Sequence, residues 1–365
     1  MKQAPIKTRH LQVADEIRAQ IRCGALSPGD RLPSYNELRA QQGVHTNTLE
    51  KAYASLELEG LIVRRRGSGT FVAQTKTATP AKSGIIGLSG KGFSFVGYSP
   101  YWAQLQGGAH EAATRAGMQL LILNPEHSQG WEKADGVLLC DWNDPLIPRK
   151  DLPGLQRVSL LTLIEDMASV GADDYNGMQI AVAHLLSLGH RKIAYLHGDP
   201  DSQIAGNRLA AYQTALKAAH IRPNAVWTRL LHGKYDGGAR VSYLARKEIM
   251  RWLKDDWSTL GCTALLCHND EAAVGAIQAF SENGIRVPQD VSVMGFDGTD
   301  YCDLVSPQLS SVQLPLREIG AQAVQLLLKQ IAADKAIVKH RVLPAKLRMG
   351  ESVAPAFQAQ NLFRS

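Results

Sequence analysis

The chain has 365 residues, of which 45% are hydrophobic, 20% charged and 6% aromatic, a composition typical of globular proteins with two or three domains. These values exclude collagen, a long coiled coil and an extended disordered chain. The net charge is +6 and lies entirely in residues 1–83, which carry 13 basic and 7 acidic residues, whereas residues 84–365 are balanced. This charge distribution indicates a polyanionic partner for the first segment alone.

The sequence predicts a reduced, cytoplasmic protein without a membrane span. It contains no run of about 18 apolar residues, and its first residues lack the apolar stretch of a signal peptide. The five cysteines are Cys23, Cys140, Cys262, Cys267 and Cys302. None forms a C-x-x-C pair, so we expect neither a disulfide framework nor a zinc site, and no other metal or cofactor.

Residues 1–73 predict three helices followed by a hairpin. A helical period ends before Gly24, and Ser34 with Glu37 forms a capping box that begins a short helix over about 34–42. Another helix begins near His45 and ends at Gly60. The apolar positions that define the first and last of these helices are Leu11, Ala14, Ile17 and Ile21, then Leu49, Ala52, Tyr53 and Leu56.

Two β-runs, 61–66 and 70–72, flank the turn Gly67-Ser68-Gly69 and predict a basic hairpin. A helix–turn–helix followed by such a hairpin is the order of a winged helix, whose second helix lies in the DNA major groove. The first residues of that helix are His45, Thr46, Asn47 and Thr48. We expect them to reach base edges, with phosphate contacts from the basic run Arg64, Arg65 and Arg66.

Taken alone, the arginine run is typical of a solvated strand, and the glycines of any hairpin turn. In combination with the helices they indicate binding to double-stranded DNA. Gly67 and Gly69 allow the hairpin backbone to approach a narrow groove without a side chain in the way.

Residues 20–72 resemble the winged-helix head of the GntR family of bacterial transcription regulators. The matching segments are GALSPGDRLPS (24–34), NTLEKAY (47–53), LELEGLI (56–62) and RGSGTFV (66–72). The resemblance implies further DNA contacts from Arg31, Ser34, Tyr35, Asn36, Lys51 and Ser68. Asn36, His45 and Thr46 depart from the commonest family residues, so we expect a different operator sequence.

Residues 74–83 have no hydrophobic period and read as a linker. Beyond it, apolar runs alternate with helical patterns, which predicts an α/β body of doubly wound parallel sheets. The predicted strands are 85–88, 118–123, 136–140, 169–172, 192–196, 227–231, 264–267 and 291–296. The predicted helices are about 101–116, 176–188, 205–219, 241–254 and 271–283. This length favours two lobes with a ligand cleft at the carboxyl ends of the strands.

Polar residues follow several of these strands and nominate a binding site. The candidates are Asp174, Arg208, Asn269 and Asp297. Carboxylates, an amide and a guanidinium that converge on a cleft suit a hydroxyl-rich ligand, because each can bond to adjacent hydroxyls. The alternative for each residue is a cap or a surface position, and Asp270 reads best as a helix cap.

The body resembles the effector domain of the LacI/GalR family, which is related to periplasmic sugar-binding proteins. The matching segments include HLLSLGHRKIA (184–194), NDEAAVGA (269–276), GIRVPQDVSVMGFD (284–297) and PQLSSV (307–312). The resemblance implies effector contacts from Asp174, Arg208, Asn269 and Asp297, and structural roles for His184 and His190. It also implies one lobe over about 84–188 and 313–333, and a second over about 189–312 and 334–365.

The first lobe departs from this family. Only about a dozen residues separate Leu123 from Gly136, so the helix usual at this place is shortened. The aromatic residues Tyr98, Tyr101 and Trp102 are candidates for stacking on a sugar or another ring, and core packing is the alternative for Trp102.

These features predict a transcription regulator, in default a repressor, that binds operator DNA as a homodimer and responds to a small effector, expected to be a sugar. Activation, or a non-sugar effector such as a purine, remains open. An enzyme is the rival interpretation, but the catalytic motifs of hydrolases, metalloproteases and P-loop proteins are missing. A transport-type sugar-binding protein does not fit a chain with a DNA-binding head.

Overall fold

The computed structural model describes residues 9–22, 26–27, 29–34, 37–39, 43–58, 61–65, 68–73, 83–90, 99–125, 130–140, 155–199, 202–231 and 241–356. Contacts group the chain into two units, Met1–Thr79 and Pro80–Ser365, and each is described by itself.

The first unit contains helix α1 (Arg9–Arg22), a helical turn at 37–39 and helix α2 (Thr46–Leu58). Strands β1 (Ile62–Arg65) and β2 (Gly69–Val72) pair antiparallel, as the hairpin prediction requires. Backbone hydrogen bonds between 29–32 and β2 add the connector to the hairpin. The capping box is also present, since the Ser34 N–H donates to Glu37 and the Glu37 N–H donates to the Ser34 hydroxyl.

The core of the first unit lies between α1 and α2. On α2 the four predicted apolar residues are all buried. On α1 the buried face runs through Val13, Ala14 and Ile17, and Leu11 is 40% exposed. The prediction that Leu11 belongs to this face was wrong, because the face is centred on residues 13 and 17, about one helical turn apart.

The second unit contains two six-stranded sheets. The first has the order β13-β7-β6-β5-β3-β4, with every pair parallel. Its strands are β3 (Ile85–Ser89), β4 (Gln119–Leu123), β5 (Gly136–Leu139), β6 (Gln156–Leu160), β7 (Ala168–Ala172) and β13 (His340–Leu343). Its helices are α3 (Pro100–Arg115) and α10 (Leu316–Ala333), which pack closely on each other.

The second sheet has the order β14-β12-β11-β10-β8-β9 and is parallel apart from the β12–β14 pair. Its strands are β8 (Ile193–His197), β9 (Thr228–Leu230), β10 (Ala264–Cys267), β11 (Ser292–Asp297), β12 (Ser310–Gln313) and β14 (Lys346–Arg348). The helices between α3 and α10 are α4 (Asp174–Ser187), α5 (Gln203–Ala218), α6 (Val241–Asp255), α7 (Trp257–Leu260), α8 (Asp270–Glu282) and α9 (Tyr301–Leu304). The predicted α/β architecture with two parallel-sheet lobes is confirmed.

Two of the three expected lobe boundaries need correction. Helix α4 packs against α5, β12 and β14 and so belongs with the second sheet, because its Gly177 lies against Phe296 and Val312. Strand β13 pairs with β7 and so belongs with the first sheet. The chain therefore crosses between the sheets after Ala172, after Gln313 and after Leu343, rather than near 188 and 333.

Between β4 and β5 the described residues contain one 3₁₀ turn, Trp131–Lys133, in agreement with the short connection expected there. Strands β6, β12, β13 and β14 and helices α7, α9 and α10 were not predicted from the residue pattern. No helix in the described ranges is long and apolar enough to cross a membrane.

Candidate functional site

The start of helix α2 offers an exposed polar surface on the first unit. His45, Thr46, Asn47 and Lys51 are exposed, and Thr48 is half-buried. The opposite side of the helix carries the buried core residues, and the Tyr53 hydroxyl donates to the Pro33 carbonyl at 2.7 Å. The helix is thus fixed by its apolar side, which leaves its first turn available to base edges.

Basic side chains surround the neighbouring hairpin. Arg64 and Arg65 are exposed, and Arg64 Nε lies 3.0 Å from Glu57 of α2. The Arg65 guanidinium lies 5.2 Å from the centre of the Phe71 ring. The backbone of exposed Arg31 forms an antiparallel β-bridge with Phe71. The Arg31 guanidinium lies against Gly69, and a Cβ added at Gly69 would be 2.9 Å from Arg31 Nε. Glycine at 69 therefore leaves room for the Arg31 side chain.

Ser34 and Ser68 are exposed beside this surface, and Gly69 has a φ of +117°, which favours glycine. Four predicted DNA contacts lie outside the described residues: Tyr35, Asn36, Arg66 and Gly67. The others stay predictions about a surface whose exposure and charge suit a phosphate backbone.

In the second unit, Arg208 is enclosed by two carboxylates. Its side chain is 3% exposed. Nε donates to Asp174 Oδ1 at 2.8 Å, and Nη2 lies 2.6 Å from the same oxygen. Nη2 also donates to Asp297 Oδ1 at 3.3 Å, and Nη1 donates to the His268 carbonyl at 2.7 Å. Three of the predicted effector residues are therefore brought together.

These three residues lie at or near the ends of two helices and one strand. Asp174 is the first residue of α4, directly after Asp173, whose side chain caps the helix by accepting from the Asn176 N–H at 3.0 Å. Arg208 lies in the second turn of α5. Asp297 ends β11 with a φ of +109°, a region that residues other than glycine rarely occupy. Such backbone strain concentrates at binding sites.

Burial governs the charges of this cluster. It raises the pKa of Asp297 well above its ordinary value, and the nearby Arg208 cation opposes that rise only in part. Burial also disfavours the charge on Arg208, but Asp174 and Asp297 together raise its pKa. A buried cation between two carboxylates is stable only while these partners remain.

Aromatic residues border the cluster. Burial raises the pKa of the Tyr101 hydroxyl, and the charges of Asp297 and Asp174 raise it further. Its ring meets that of Trp102 edge to face, with centroids 5.0 Å apart. Both rings are half-buried and pack against the core. Tyr98 lies outside the described residues.

Asn269 has a structural role in addition to its expected one. Its side-chain oxygen accepts from the Ala272 N–H at 2.8 Å and so caps α8. Its NH₂ group is therefore the part of the side chain suited to a ligand. The expectation that Asp270 caps this helix was wrong, because Asp270 accepts instead from Thr299 and Ser311.

Other residues of this region were missed from the sequence. The Phe296 ring lies beneath Arg208, and His268, whose carbonyl accepts from Arg208, directly follows β10. Among the described atoms, His268 Nδ1 has no hydrogen-bond partner. Burial and the Arg208 charge lower the pKa of His268 to about 3, so its ring is neutral. Their positions at strand ends were the available signal.

A cavity of about 300 Å³ adjoins Asp174 on the side of the first chain crossing. Its lining residues are Leu161, Leu163, Ala172, Asp173, Asp174, Tyr175, Gln203, Ile204, Asn207 and Val342. Leu161, Ala172 and Val342 come from the first-sheet side and Gln203, Ile204 and Asn207 from α5, so the cavity lies between the lobes. Carboxylate oxygens and apolar side chains together suit a small polar ring.

No group of three or more His, Cys, Asp or Glu side chains in the described ranges is arranged to hold a metal. His190 bonds through both ring nitrogens, to the Thr263 hydroxyl at 2.8 Å and the Ala354 carbonyl at 2.9 Å. Cys140, Cys262, Cys267 and Cys302 are buried thiols, and none of them forms a disulfide within the described residues.

Comparison with known proteins assigns both parts of the chain. Residues 9–72 match the bacterial regulatory proteins of the gntR family, and residues 182–353 match the periplasmic binding protein-like domain. The chain joins a GntR-family helix–turn–helix segment to a periplasmic-binding-protein-like domain. The resemblances stated from the sequence are thereby confirmed.

Relatives of this chain are named as transcription regulators. The arabinose metabolism transcriptional repressor of Geobacillus stearothermophilus is 25% identical over 344 residues, covering 88% of this chain and 91% of that repressor. The ribose operon repressor of Haemophilus influenzae is 33% identical over 177 residues, covering 48% of this chain and 50% of that protein. Both relatives are named as transcriptional repressors, in agreement with the predicted regulator.

A solved structure matches the fold of the body. The LacI-family transcriptional regulator of Enterococcus faecium with bound ribose has a TM-score of 0.64 and 22% identity, covering 75% of this chain and 100% of that chain. At this identity the match supports the fold of the body and nothing about its ligand.

Proposed function

We propose that the chain is a transcription repressor whose operator affinity is controlled by a small, uncharged, hydroxyl-rich effector in the cleft between its lobes. The Arg208 cluster carries this proposal. One guanidinium and two carboxylates at a cleft between parallel sheets supply both donors and acceptors, and adjacent hydroxyls need both. Two carboxyl groups around one cation leave no excess positive charge at the site, which disfavours a strongly anionic ligand.

The connectivity offers a route from the effector to the arrangement of the lobes. Asp174 directly follows the first chain crossing, so a hydroxyl that displaces its bond to Arg208 acts where the two lobes are joined. Asp297 lies on β11 of the second sheet, next to the strand that leads into the second crossing. An effector that bonds to both carboxylates changes the relative energies of lobe arrangements, as an allosteric effector must.

The first unit suits double-stranded DNA, with the start of α2 in the major groove and the arginines of the hairpin on phosphates. One head covers one half-site, so we propose a homodimer on a palindromic operator. Full-length relatives named as transcriptional repressors support repression. Activation is the alternative, and a purine is the alternative effector because Tyr101 and Trp102 offer ring faces.

The first experiment selects duplexes from a random library with the full chain and measures their affinity by fluorescence anisotropy. The measurement is repeated with L-arabinose, D-ribose, D-glucose, adenine and guanine, because relatives are named for arabinose metabolism and a ribose operon. We expect a selected palindrome whose affinity falls at least fivefold with one of the sugars. No selected duplex at low salt would contradict DNA binding, and a response to a purine alone would contradict the sugar.

The second experiment tests the pocket. Asp297→Ala should lose the response to the sugar, because it removes one acceptor of the pair, while operator affinity without sugar stays within about threefold of the wild type. Asp303→Ala is the control, since Asp303 is an exposed carboxylate in the same segment. An unchanged response in Asp297→Ala would contradict the assignment of the pocket.

A further inference from the structure

Asp270 is a buried carboxylate that lies behind the proposed pocket. It is the first residue of α8 and 1% exposed, and it directly follows Asn269. Because Asn269 caps the helix, the Asp270 side chain is available for another task. It reaches the loop that follows β11, where Asp297 ends the strand.

The carboxylate bonds to both sides of this loop. Oδ2 accepts from the Thr299 N–H at 2.6 Å and from the Thr299 hydroxyl at 2.8 Å. Oδ1 accepts from the Ser311 hydroxyl at 2.5 Å, and the Gly298 N–H donates to that hydroxyl at 3.2 Å. One side chain therefore fixes the two residues after Asp297, one of them through Ser311.

The loop needs such support because its backbone is unusual. Asp297 has a φ of +109° and Gly298 a φ of +70°, so two consecutive residues occupy the left-handed region. Gly298 admits no side chain, since a Cβ would lie 2.5 Å from the Gln313 Cα. At Gly295 a Cβ would overlap Asp270 itself, so this glycine makes room for the carboxylate.

We propose that Asp270 is a positioning residue of the effector pocket. It holds Asp297 in its strained conformation, with its carboxylate directed to Arg208, and does not itself touch the effector. Preorganisation of this kind raises affinity because the bound geometry exists before the ligand arrives. This proposal rests on the proposed function for the claim that Asp297 belongs to the effector pocket. The support of the loop by Asp270 does not depend on that function.

The first test needs no ligand. In Asp270→Asn of the full chain, amide hydrogen exchange is followed by mass spectrometry for peptides over 296–304 and, as an internal reference, over 264–268 of β10. We expect exchange at 298 and 299 to become about tenfold faster or more, with β10 unchanged. Equal protection of the loop in both proteins would overturn the proposal. Should this variant fail to fold, Ser311→Ala removes one of the bonds and is measured in the same way.

The second test uses L-arabinose or D-ribose, whichever the wild type binds, in a double-mutant cycle by calorimetry. Asp270→Asn should weaken sugar binding about tenfold in the wild type and less than twofold when Asp297→Asn is already present, because the residue acts through Asp297. Asp303→Asn, the exposed control, should change neither value. Equal weakening in both backgrounds would mean a merely structural role and would overturn the proposal.

The sugar effector and the role of Asp270 can be contradicted independently of each other. If neither sugar binds the wild type, the sugar effector is contradicted, while the exchange experiment still decides whether Asp270 holds the loop.

Discussion

The guanidinium carbon of Arg208 lies 3.7 Å from the centre of the Phe296 ring. Phe296 and Asp297 are adjacent on β11, so one strand end gives this cation both an aromatic ring and a carboxylate. A desolvated contact of this kind contributes about 2 kcal/mol. The Phe296 ring contacts the guanidinium, and the N–H groups of the guanidinium donate to Asp174, Asp297 and the His268 carbonyl. Arg208 is therefore the residue that contacts every other member of this cluster.

Arg208→Ala should lower the free energy of unfolding of the body by about 3–5 kcal/mol, because it leaves two buried carboxylates without their cation. Arg208→Lys should cost less but still lose the sugar response, since an ammonium cannot reproduce the fork of N–H donors. Urea unfolding followed by tryptophan fluorescence measures both variants.

The control for this prediction is Arg286→Ala. Arg286 also pairs with an aspartate, Asp290, but its side chain is 67% exposed. We expect a change below about 1 kcal/mol there. Similar losses in the buried and the exposed pair would mean that burial does not set the strength of the Arg208 cluster.

The sequence predicted most of the fold because the apolar period is strong in the body. Residues 264–267 and 271–283, for example, become β10 and α8 almost without change. Strand β6 was missed, since QRVSL shows neither a long apolar run nor a clean alternation. The lobe boundaries at 188 and 333 were wrong because sheet membership depends on backbone pairing, such as β13 with β7, which periodicity does not encode.

The site was predicted in part. Asp174, Arg208 and Asp297 follow segment ends, and parallel strands bring such ends to one edge. The role of Asp270 was not visible, because its partners Thr299 and Ser311 are 29 and 41 residues away in sequence. Phe296 reads as an ordinary strand residue until the strand's neighbour Arg208 is known.

Helices α3 and α10 provide a test of close packing. Gly108 of α3 lies against the backbone of Arg317, so that an added Cβ would overlap the Arg317 carbonyl. Gly108→Ala should therefore destabilise the body by several kcal/mol, despite the better helix propensity of alanine. The adjacent Gly107→Ala is the matched control, because its Cβ would meet only the flexible end of the Arg317 side chain, at 3.0 Å.

Thermal unfolding measures this pair. We expect Gly107→Ala to be neutral or slightly stabilising, and the midpoint of Gly108→Ala to fall by at least several degrees. A stable Gly108→Ala would show that α3 and α10 can separate without loss, against the packing described above.

Variants of the first unit should separate two kinds of proposed DNA contact, one to phosphate and one to a base edge. Arg65→Ala should weaken binding to every duplex alike and reduce the slope of log affinity against log salt by about one, because it removes a proposed phosphate contact. Asn47→Ala should leave the slope unchanged and cost about 1–3 kcal/mol of preference for one base pair, because its amide is the group that we propose to read a base edge.

Anisotropy titrations between 50 and 200 mM salt, roughly the range over which phosphate contacts dominate, separate the two effects. Arg222→Ala in the body is the control, since Arg222 is an exposed arginine outside the first unit. An equal change of slope in Arg222→Ala and Arg65→Ala would contradict the assignment of the hairpin as the phosphate-binding surface.

The ionisation of Asp270 should make the free energy of unfolding of the body depend on pH. Burial raises its pKa from an ordinary 3.8 to about 6, against hydrogen bonds from Ser311 and Thr299 that favour the ionised form. Other ionisable groups whose charges act on Asp270, or on which it acts, are Cys267, Asp297, Cys302 and Arg348. All four remain in Asp270→Asn, so the difference from this variant reports the ionisation of Asp270 together with its effect on these groups.

Between about pH 4 and pH 6 the folded protein holds a proton on Asp270 that the unfolded chain has lost, so unfolding releases a proton and stability falls as the pH rises. A shift of about two pKa units corresponds to on the order of 3 kcal/mol. The wild type should therefore lose about this much relative to Asp270→Asn between pH 4 and pH 7, measured by urea unfolding of the body. A difference that stays constant with pH would show that Asp270 ionises at its ordinary value.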